Sequence, residues 1–122
     1  MKIVAKTDVG MVRESNQDSY TTGELPNGVA WAVVCDGMGG AAGGNVASST
    51  AVKVIAEQIT SSFRPGMSAN SIKNMMVSAI NAANISVYDI SCSNSELYGM
   101  GTTVVCAIVM EHIAYIAHAG DS

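Results

Sequence analysis

Residues 29–44 read VAWAVVCDGMGGAAGG, and this stretch decides the fold. The run Val29–Cys35 is apolar and of strand length, so it predicts a buried strand that ends at Asp36. Five glycines follow within residues 37–44, a density not expected in the interior of a helix or strand, so we predict a loop there. Beyond the loop, a helix is predicted from Asn45 to about Ser62.

The sequence on either side of this stretch predicts two hairpins and a second helix. Pro26-Asn27-Gly28 and Glu111-His112 are turn signals that join neighbouring strands. Because strands and helices are segregated along the chain, the pattern favours an α+β fold with an antiparallel sheet. The further predicted elements are strand Ile3–Lys6, strand Tyr20–Glu24, a helix from about Asn70 to Ser91 with the apolar stripe Ile72, Met76, Ala79, Ile80, Ala83, Val87 and Ile90, strand Gly101–Met110 and strand Ile113–Ala119.

The composition excludes several classes of protein. The 122 residues are 48% hydrophobic and 13% charged, too apolar for a disordered chain. A net charge of -4 argues against nucleic-acid binding. The longest apolar runs fall far short of the roughly 20 residues that span a bilayer, and no signal peptide is seen. Cys35, Cys92 and Cys106 form no CxxC pair, so we predict reduced, mostly buried thiols and a cytoplasmic location.

Three aspartates share a sequence context at the ends of predicted strands. Asp18 precedes a strand, Asp36 ends one, and Asp121 follows the last one. Carboxylates at strand ends can converge on one rim of a sheet, where a cation would offset their repulsion. Their hard oxygens suit Mg²⁺ or Mn²⁺, and Arg13 offers a planar fork for a phosphate. Alternatively, each aspartate caps a turn and Arg13 is a solvated charge of its loop.

The glycine-rich segment also permits a different interpretation. Gly37, Gly39 and Ala42 fit G-x-G-x-x-A, and Glu57 lies where a dinucleotide-binding motif places the acid that binds ribose. However, Glu57 falls inside a predicted helix, whereas the motif needs the end of a second parallel strand. Asp36 would also lie beside the pyrophosphate. A dinucleotide-binding domain is therefore a remote alternative.

Four motifs together resemble one known family. Thr7–Asp18 (TDVGMVRESNQD), Val34–Gly40 (VCDGMGG), Gly101-Thr102-Thr103 and Ala119–Ser122 (AGDS) occur in the order found in metal-dependent serine/threonine protein phosphatases of type 2C, the PPM family. The DGMGG form is similar to that of bacterial members. Because the four motifs span nearly the whole chain, the resemblance is specific.

The resemblance implies a fold and a set of site residues. The fold would be an antiparallel β-sandwich flanked by helices in four layers, αββα, of which this chain holds the N-terminal half. Asp36 would bridge two Mn²⁺ or Mg²⁺ ions, and Gly37 would contribute its carbonyl oxygen. Asp18 would hold one metal, directly or through water. Asp121 would help to hold a third, weaker metal, and Arg13 would hold the substrate phosphate.

The same resemblance implies an activity and partners. Water activated at the metal centre would hydrolyse phosphoserine and phosphothreonine in proteins, and a cognate Ser/Thr kinase would be a partner. Complete members are about twice as long, so residues 1–122 are expected to be an N-terminal portion with little activity alone. The missing half would bind it, or exposed strand edges would self-associate. A catalytically inactive pseudophosphatase that serves as an interaction module is the alternative.

Three residues bear on how far the family pattern applies. Met38 stands where animal members carry a histidine proposed as the general acid, so protonation of the leaving group would fall to water at the metal centre. Gln17 stands where many members have glutamate, so a contact of this residue with the outer sphere of the metal would be neutral. His118 lies near Asp121 in sequence, but we predict a packed strand residue without a catalytic role.

Overall fold

The computed structural model describes residues 18–120, and for Asp18 and residues 40–42 it describes the backbone alone. The predicted strand Ile3–Lys6, together with Arg13, Gln17 and Asp121, lies outside the described residues. The elements are β1 (Asp18–Leu25), β2 (Val29–Met38), α1 (Gly40–Ser62), α2 (Ala69–Ser93), β3 (Gly101–Met110) and β4 (Ile113–Ala119), with short 3₁₀ turns at Pro26–Gly28 and Ser95–Leu97.

The four strands form a single antiparallel sheet in the order β1-β2-β3-β4. Two hairpins make up the sheet, and the pair α1–α2 connects β2 to β3. The predicted α+β class with an antiparallel sheet is therefore confirmed. Within residues 18–120 the structure contains one sheet and one helical layer of the implied sandwich.

The turns of both hairpins follow the sequence prediction. Between β1 and β2, Asn27 and Gly28 have φ values of 68° and 72°. This is left-handed backbone, which asparagine and glycine adopt at low cost. Between β3 and β4, Glu111 has a φ of 50° in the two-residue turn. The bounds predicted for β3 and β4 match the structure.

The loop predicted for residues 37–44 is wrong. β2 continues through Met38, and α1 begins at Gly40, so the strand and helix are almost contiguous. The sharp change of direction falls on Gly39, whose φ of 128° is open to glycine and to few other residues. Helix α1 is therefore five residues longer at its start than the predicted Asn45–Ser62.

Close packing explains why glycines occur inside these regular elements. A Cβ on Gly37 would overlap the backbone of Gly44, lying 2.8 Å from its Cα, because the first turns of α1 lie directly on β2. A Cβ on Gly43 would lie 3.1 Å from the Cβ of Met100. Glycine costs a helix about 1 kcal/mol relative to alanine, and here close contact between backbones overrides that propensity.

The core lies between the two helices and one face of the sheet. Small residues of α1, Ala47 and Ala51, are fully buried and allow the helix to approach the strands closely. The predicted stripe of α2 is largely buried, but Ile90 is exposed, because Ser91 takes the inward position four residues after Val87. The fully buried side chains of largest volume are Ile55, Ile59, Ile72, Met76, Ile108, Val33, Cys35, Cys106 and Ser48.

The cysteines agree with the prediction made for them. All three cysteines are free thiols, with Cys35 and Cys106 buried and Cys92 exposed. In the part of the chain that the structure describes, neither helix has the length and hydropathy needed to cross a membrane.

Candidate functional site

Asp36 lies near the end of β2, an inner strand of the sheet, and is half-buried. Its Cα is paired with Asp18 of β1 on one side and with Thr103 of β3 on the other. The backbone N–H of Asp36 donates a hydrogen bond to Oγ1 of Thr103, with an N···O distance of 3.3 Å. Asp36 is therefore held between two neighbouring strands.

Asp18 is brought to Asp36 by the register of the first hairpin. It is the first residue of β1 and the direct cross-strand partner of Asp36. Directly opposed Cα atoms of antiparallel strands lie about 4.5–5.5 Å apart. Two of the three aspartates singled out in the sequence thus meet at one end of the sheet, while Asp121 and Arg13 lie outside the described residues.

The end of β4 reaches the same place. Val104 pairs with Ala119, so the next residue, Gly120, lies beside Thr103. A Cβ on Gly120 would lie 3.2 Å from Cγ2 of Thr103, and the φ of Gly120 is 82°. This close approach brings the end of β4, immediately before Asp121 in the sequence, next to the pair formed by Asp36 and Thr103.

Sequence reasoning did not identify two residues that shape this end of the sheet. Thr103 was part of a recognised motif, but its contact with Asp36 depends on the register of strands 67 residues apart. Met100 packs against Gly39 and Gly43 at the junction of β2 and α1. The Gly-Thr-Thr motif was the sequence signal that pointed to Thr103. No sequence signal pointed to Met100.

Met38 and His118 occupy exposed positions around this end. Met38 ends β2 opposite Gly101, and 53% of its surface is exposed. His118 lies on strand β4 as predicted, but it is exposed, so the prediction that it is packed is wrong. His118 pairs with Val105, and the sheet face that these residues share has no helix over it in the described chain.

The charges available here are few. Residues 18–120 contain no cluster of three or more His, Cys, Asp or Glu side chains placed to hold a metal ion. Carboxylate oxygens such as those of Asp36 are of a type that suits a hard divalent cation. The dinucleotide-binding alternative is contradicted, because Glu57 lies inside α1 and the sheet is antiparallel, with no parallel pair among the described strands.

Two cavities flank the sheet, and size does not identify the site. One of about 640 Å³ lies at the opposite end, among the turn residues Gly28, Pro65 and His112. One of about 400 Å³ lies between α2 and β3, and its lining includes Met38 and Thr102. Neither cavity is lined by Asp36.

Comparisons with known proteins agree on one family. A family model described as protein phosphatase 2C matches residues 12–122. A serine/threonine phosphatase, stp, of Listeria monocytogenes is 33% identical over 117 residues, which is 96% of this chain and 46% of that protein. The serine/threonine phosphatase of S. agalactiae superposes with a TM-score of 0.83 at 29% identity, over 95% of this chain and 47% of that one.

A further solved structure bears on the metal. The catalytic domain of serine/threonine protein phosphatase PstP, in complex with two manganese ions, superposes with a TM-score of 0.75 at 28% identity. The match covers 95% of this chain and 46% of that one. The chain spans about half the length of the curated relatives that it matches.

Proposed function

The chain belongs to the protein phosphatase 2C family, and from that premise we propose that the natural protein carrying this sequence hydrolyses phosphoserine and phosphothreonine in proteins. One observation carries the proposal: Asp36, next to the end of an inner strand, is the direct cross-strand partner of Asp18. These two acidic residues lie at one end of the sheet, and the similar catalytic domain of PstP was solved with two manganese ions. Both observations support a metal-dependent hydrolase.

The donor set near Asp36 fits a hard divalent metal. Carboxylate and carbonyl oxygens are what Mn²⁺ and Mg²⁺ prefer, whereas a zinc site would need histidines or cysteines. We assign Asp36, Asp18 and the carbonyl oxygen of Gly37 to two metal ions and Asp121 to a third, weaker one. The assignment of Gly37 rests on the family resemblance, because the backbone of Gly44 fills the space beside its Cα.

The protein residues have separate tasks in this proposal. The metal pair, when bound, supplies an activated water and neutralises charge on the phosphate. Asp18 and Asp36 hold the metals at the end of the sheet, and Arg13 binds the phosphate oxygens through its guanidinium group. Met38 cannot donate a proton, so the leaving alkoxide takes its proton from water.

The finer assignments of substrate, partner and location rest on family membership. Phosphorylated proteins would be the substrates and a Ser/Thr kinase the source of them. Residues 1–122 would be the N-terminal portion of one phosphatase domain, with little activity alone. The rest of that domain or a second copy would cover the strand edges. A cytoplasmic location stays a prediction.

Replacing Asp36 tests the proposal directly. We expect Asp36→Asn in the natural protein to lower Mn²⁺-dependent hydrolysis of a phosphoserine peptide by at least about 100-fold, since even outer-shell partners of a metal typically contribute 10–100-fold. Glu24→Gln is the matched control, because Glu24 is an exposed carboxylate at the other end of β1. It should retain wild-type activity.

Two results would contradict the proposal. If Asp36→Asn kept wild-type activity, Asp36 would hold no metal that the hydrolysis needs. If the 122-residue chain alone hydrolysed the peptide as fast as the natural protein, the assignment to an incomplete domain would be wrong.

A further inference from the structure

We infer that Thr103 is a positioning residue that fixes Asp36 and the end of β4 for metal binding. The inference rests on the proposed function, because it assumes that Asp36 is a metal ligand. Thr103 itself is assigned no metal and no substrate. Its role is to hold in place the backbone that carries the ligands.

The first observation is the hydrogen bond between the two residues. Oγ1 of Thr103 accepts the backbone N–H of Asp36 at 3.3 Å, and the two Cα atoms are cross-strand partners. Thr103 is 8% exposed and is one of few buried polar residues in the described chain. A buried side-chain acceptor on the amide of Asp36 restrains that residue in a way that the ladder of backbone bonds alone does not.

The second observation lies on the other side of Thr103. Its Cγ2, Cα and Cβ would lie 3.2, 3.3 and 3.5 Å from a Cβ on Gly120, so the end of β4 packs directly against this side chain. The hydroxyl of Thr103 therefore contacts the strand of Asp36, while its carbon atoms contact the residue before Asp121. One side chain links two strand ends that are distant in sequence.

The chemistry of metal sites explains why this link matters. Ligands bind a metal tightly when neighbouring groups fix their orientation in advance, and loss of such a group typically costs 10–100-fold in affinity or activity. Threonine suits the task because its β-branched side chain is stiff about χ1. A threonine retained only for strand formation would be replaced by valine without consequence, since the two have nearly the same shape.

Three variants of the 122-residue chain separate these roles. Thr103→Val keeps the shape and removes the acceptor, and Thr103→Ser keeps the hydroxyl and removes the methyl group. Thr102→Val is the matched control, because Thr102 is the adjacent threonine, pairs with Gly37 instead of Asp36, and donates its hydroxyl to the Thr103 carbonyl at 2.8 Å.

The readouts are amide hydrogen exchange at Asp36 by NMR and Mn²⁺ binding by paramagnetic broadening. In Thr103→Val we expect the Asp36 amide to exchange about 10-fold faster and the apparent Mn²⁺ affinity to fall about 10-fold. Thr103→Ser and Thr102→Val should both stay within about twofold of wild type. Neither readout requires phosphatase activity.

Several outcomes would overturn the inference. Unchanged Mn²⁺ affinity in a folded Thr103→Val chain would make Thr103 structural only. If Thr103→Ser were as impaired as Thr103→Val, packing against Gly120 would be the cause and the hydroxyl bond would not matter. Should Thr103→Val fail to fold, a wild-type Asp36 amide that exchanges as fast as exposed amides would refute the bond. If the variants changed Mn²⁺ affinity as expected but the natural protein had no phosphatase activity, the proposed function would be refuted and the inference about Thr103 would stand.

Discussion

The two faces of the sheet are similar in composition, but the helices bury one face and leave the other exposed. On the face beneath the helices, Val33 of β2 and Ile108 of β3 are fully buried. On the opposite face, the neighbouring Val34 is 37% exposed and Ile116 of β4 is 66% exposed. An antiparallel sheet with one face in water normally alternates apolar and polar residues. Here both faces are apolar, and the described chain covers one of them.

The uncovered face also carries the candidate site. Asp36 alternates with the inward-facing residues of β2, so it shares the uncovered face with Val34 and Met38. Whatever packs on this face would approach the aspartates as well. The difference between the faces shows that one face stabilises the fold, while the other presents the residues proposed for chemistry.

The largest effect should come from adding one carbon atom to a strand glycine on the covered face. Gly37→Ala would force a Cβ into the backbone of Gly44, which cannot rotate away. We expect a loss of about 4 kcal/mol or more in the free energy of unfolding, at the upper end for single substitutions. Urea unfolding followed by circular dichroism measures this.

Gly101→Ala is the matched control for Gly37→Ala on the other face. Its Cβ would lie 3.8 Å from Cε of Met38, an ordinary contact. It should be neutral or stabilise by about 0.4–1 kcal/mol, because alanine lowers the entropy of the unfolded chain. Equal effects of the two substitutions would show that α1 does not pack closely on β2.

A smaller effect is expected from shortening isoleucines on the two faces. Ile108→Ala should cost about 2–5 kcal/mol, through lost burial and a cavity in the core. Ile116→Ala should change the free energy of unfolding by less than about 0.5 kcal/mol, as exposed positions usually do. The same unfolding assay, repeated at several protein concentrations, compares them.

The isoleucine pair also tests whether the second face stays uncovered in solution. A cost above about 1 kcal/mol for Ile116→Ala that grows with protein concentration would mean that a second copy covers this face. Light scattering would then report a dimer. The difference in exposure between the two faces would then hold within one chain and not in the assembly.

Sequence patterns predicted the elements well where local chemistry decides the structure. The second hairpin was predicted to the residue, because its strands are rich in β-branched side chains and its turn is short. The glycines of residues 37–44 were misassigned, because their purpose is close packing between β2 and α1. Composition alone cannot distinguish glycines that permit contact from glycines that permit flexibility.

The candidate site was predicted only in part, because local sequence patterns reveal strand ends but not the register between distant strands. Placing Asp18 and Asp36 at one end of the sheet required only strand boundaries and antiparallel order. Identifying Thr103 required the register between β2 and β3, which two intervening helices separate in sequence. Local patterns carry no information about that register.

The smallest expected effect on stability at neutral pH comes from the two buried thiols on the covered face, Cys35 and Cys106. Burial raises the pKa of Cys106 from 9.0 to about 12, and the pKa of Cys35 is raised to a similar value, mainly by burial. Cys92 is exposed on α2. At pH 8 we expect one thiol per chain to react rapidly with a disulfide reagent, and the other two to react only on unfolding.

The pH dependence of stability follows from the raised pKa of Cys106. Below about pH 9 its thiol is protonated in both the folded and the unfolded chain, so it adds no pH dependence. Between about pH 9 and 12 the unfolded chain loses this proton while the folded chain keeps it, so stability falls as pH rises. Cys92→Ser should abolish the rapid reaction and leave this decline unchanged. Rapid reaction of two or three thiols in the folded chain would show instead that the helices do not seal their face of the sheet.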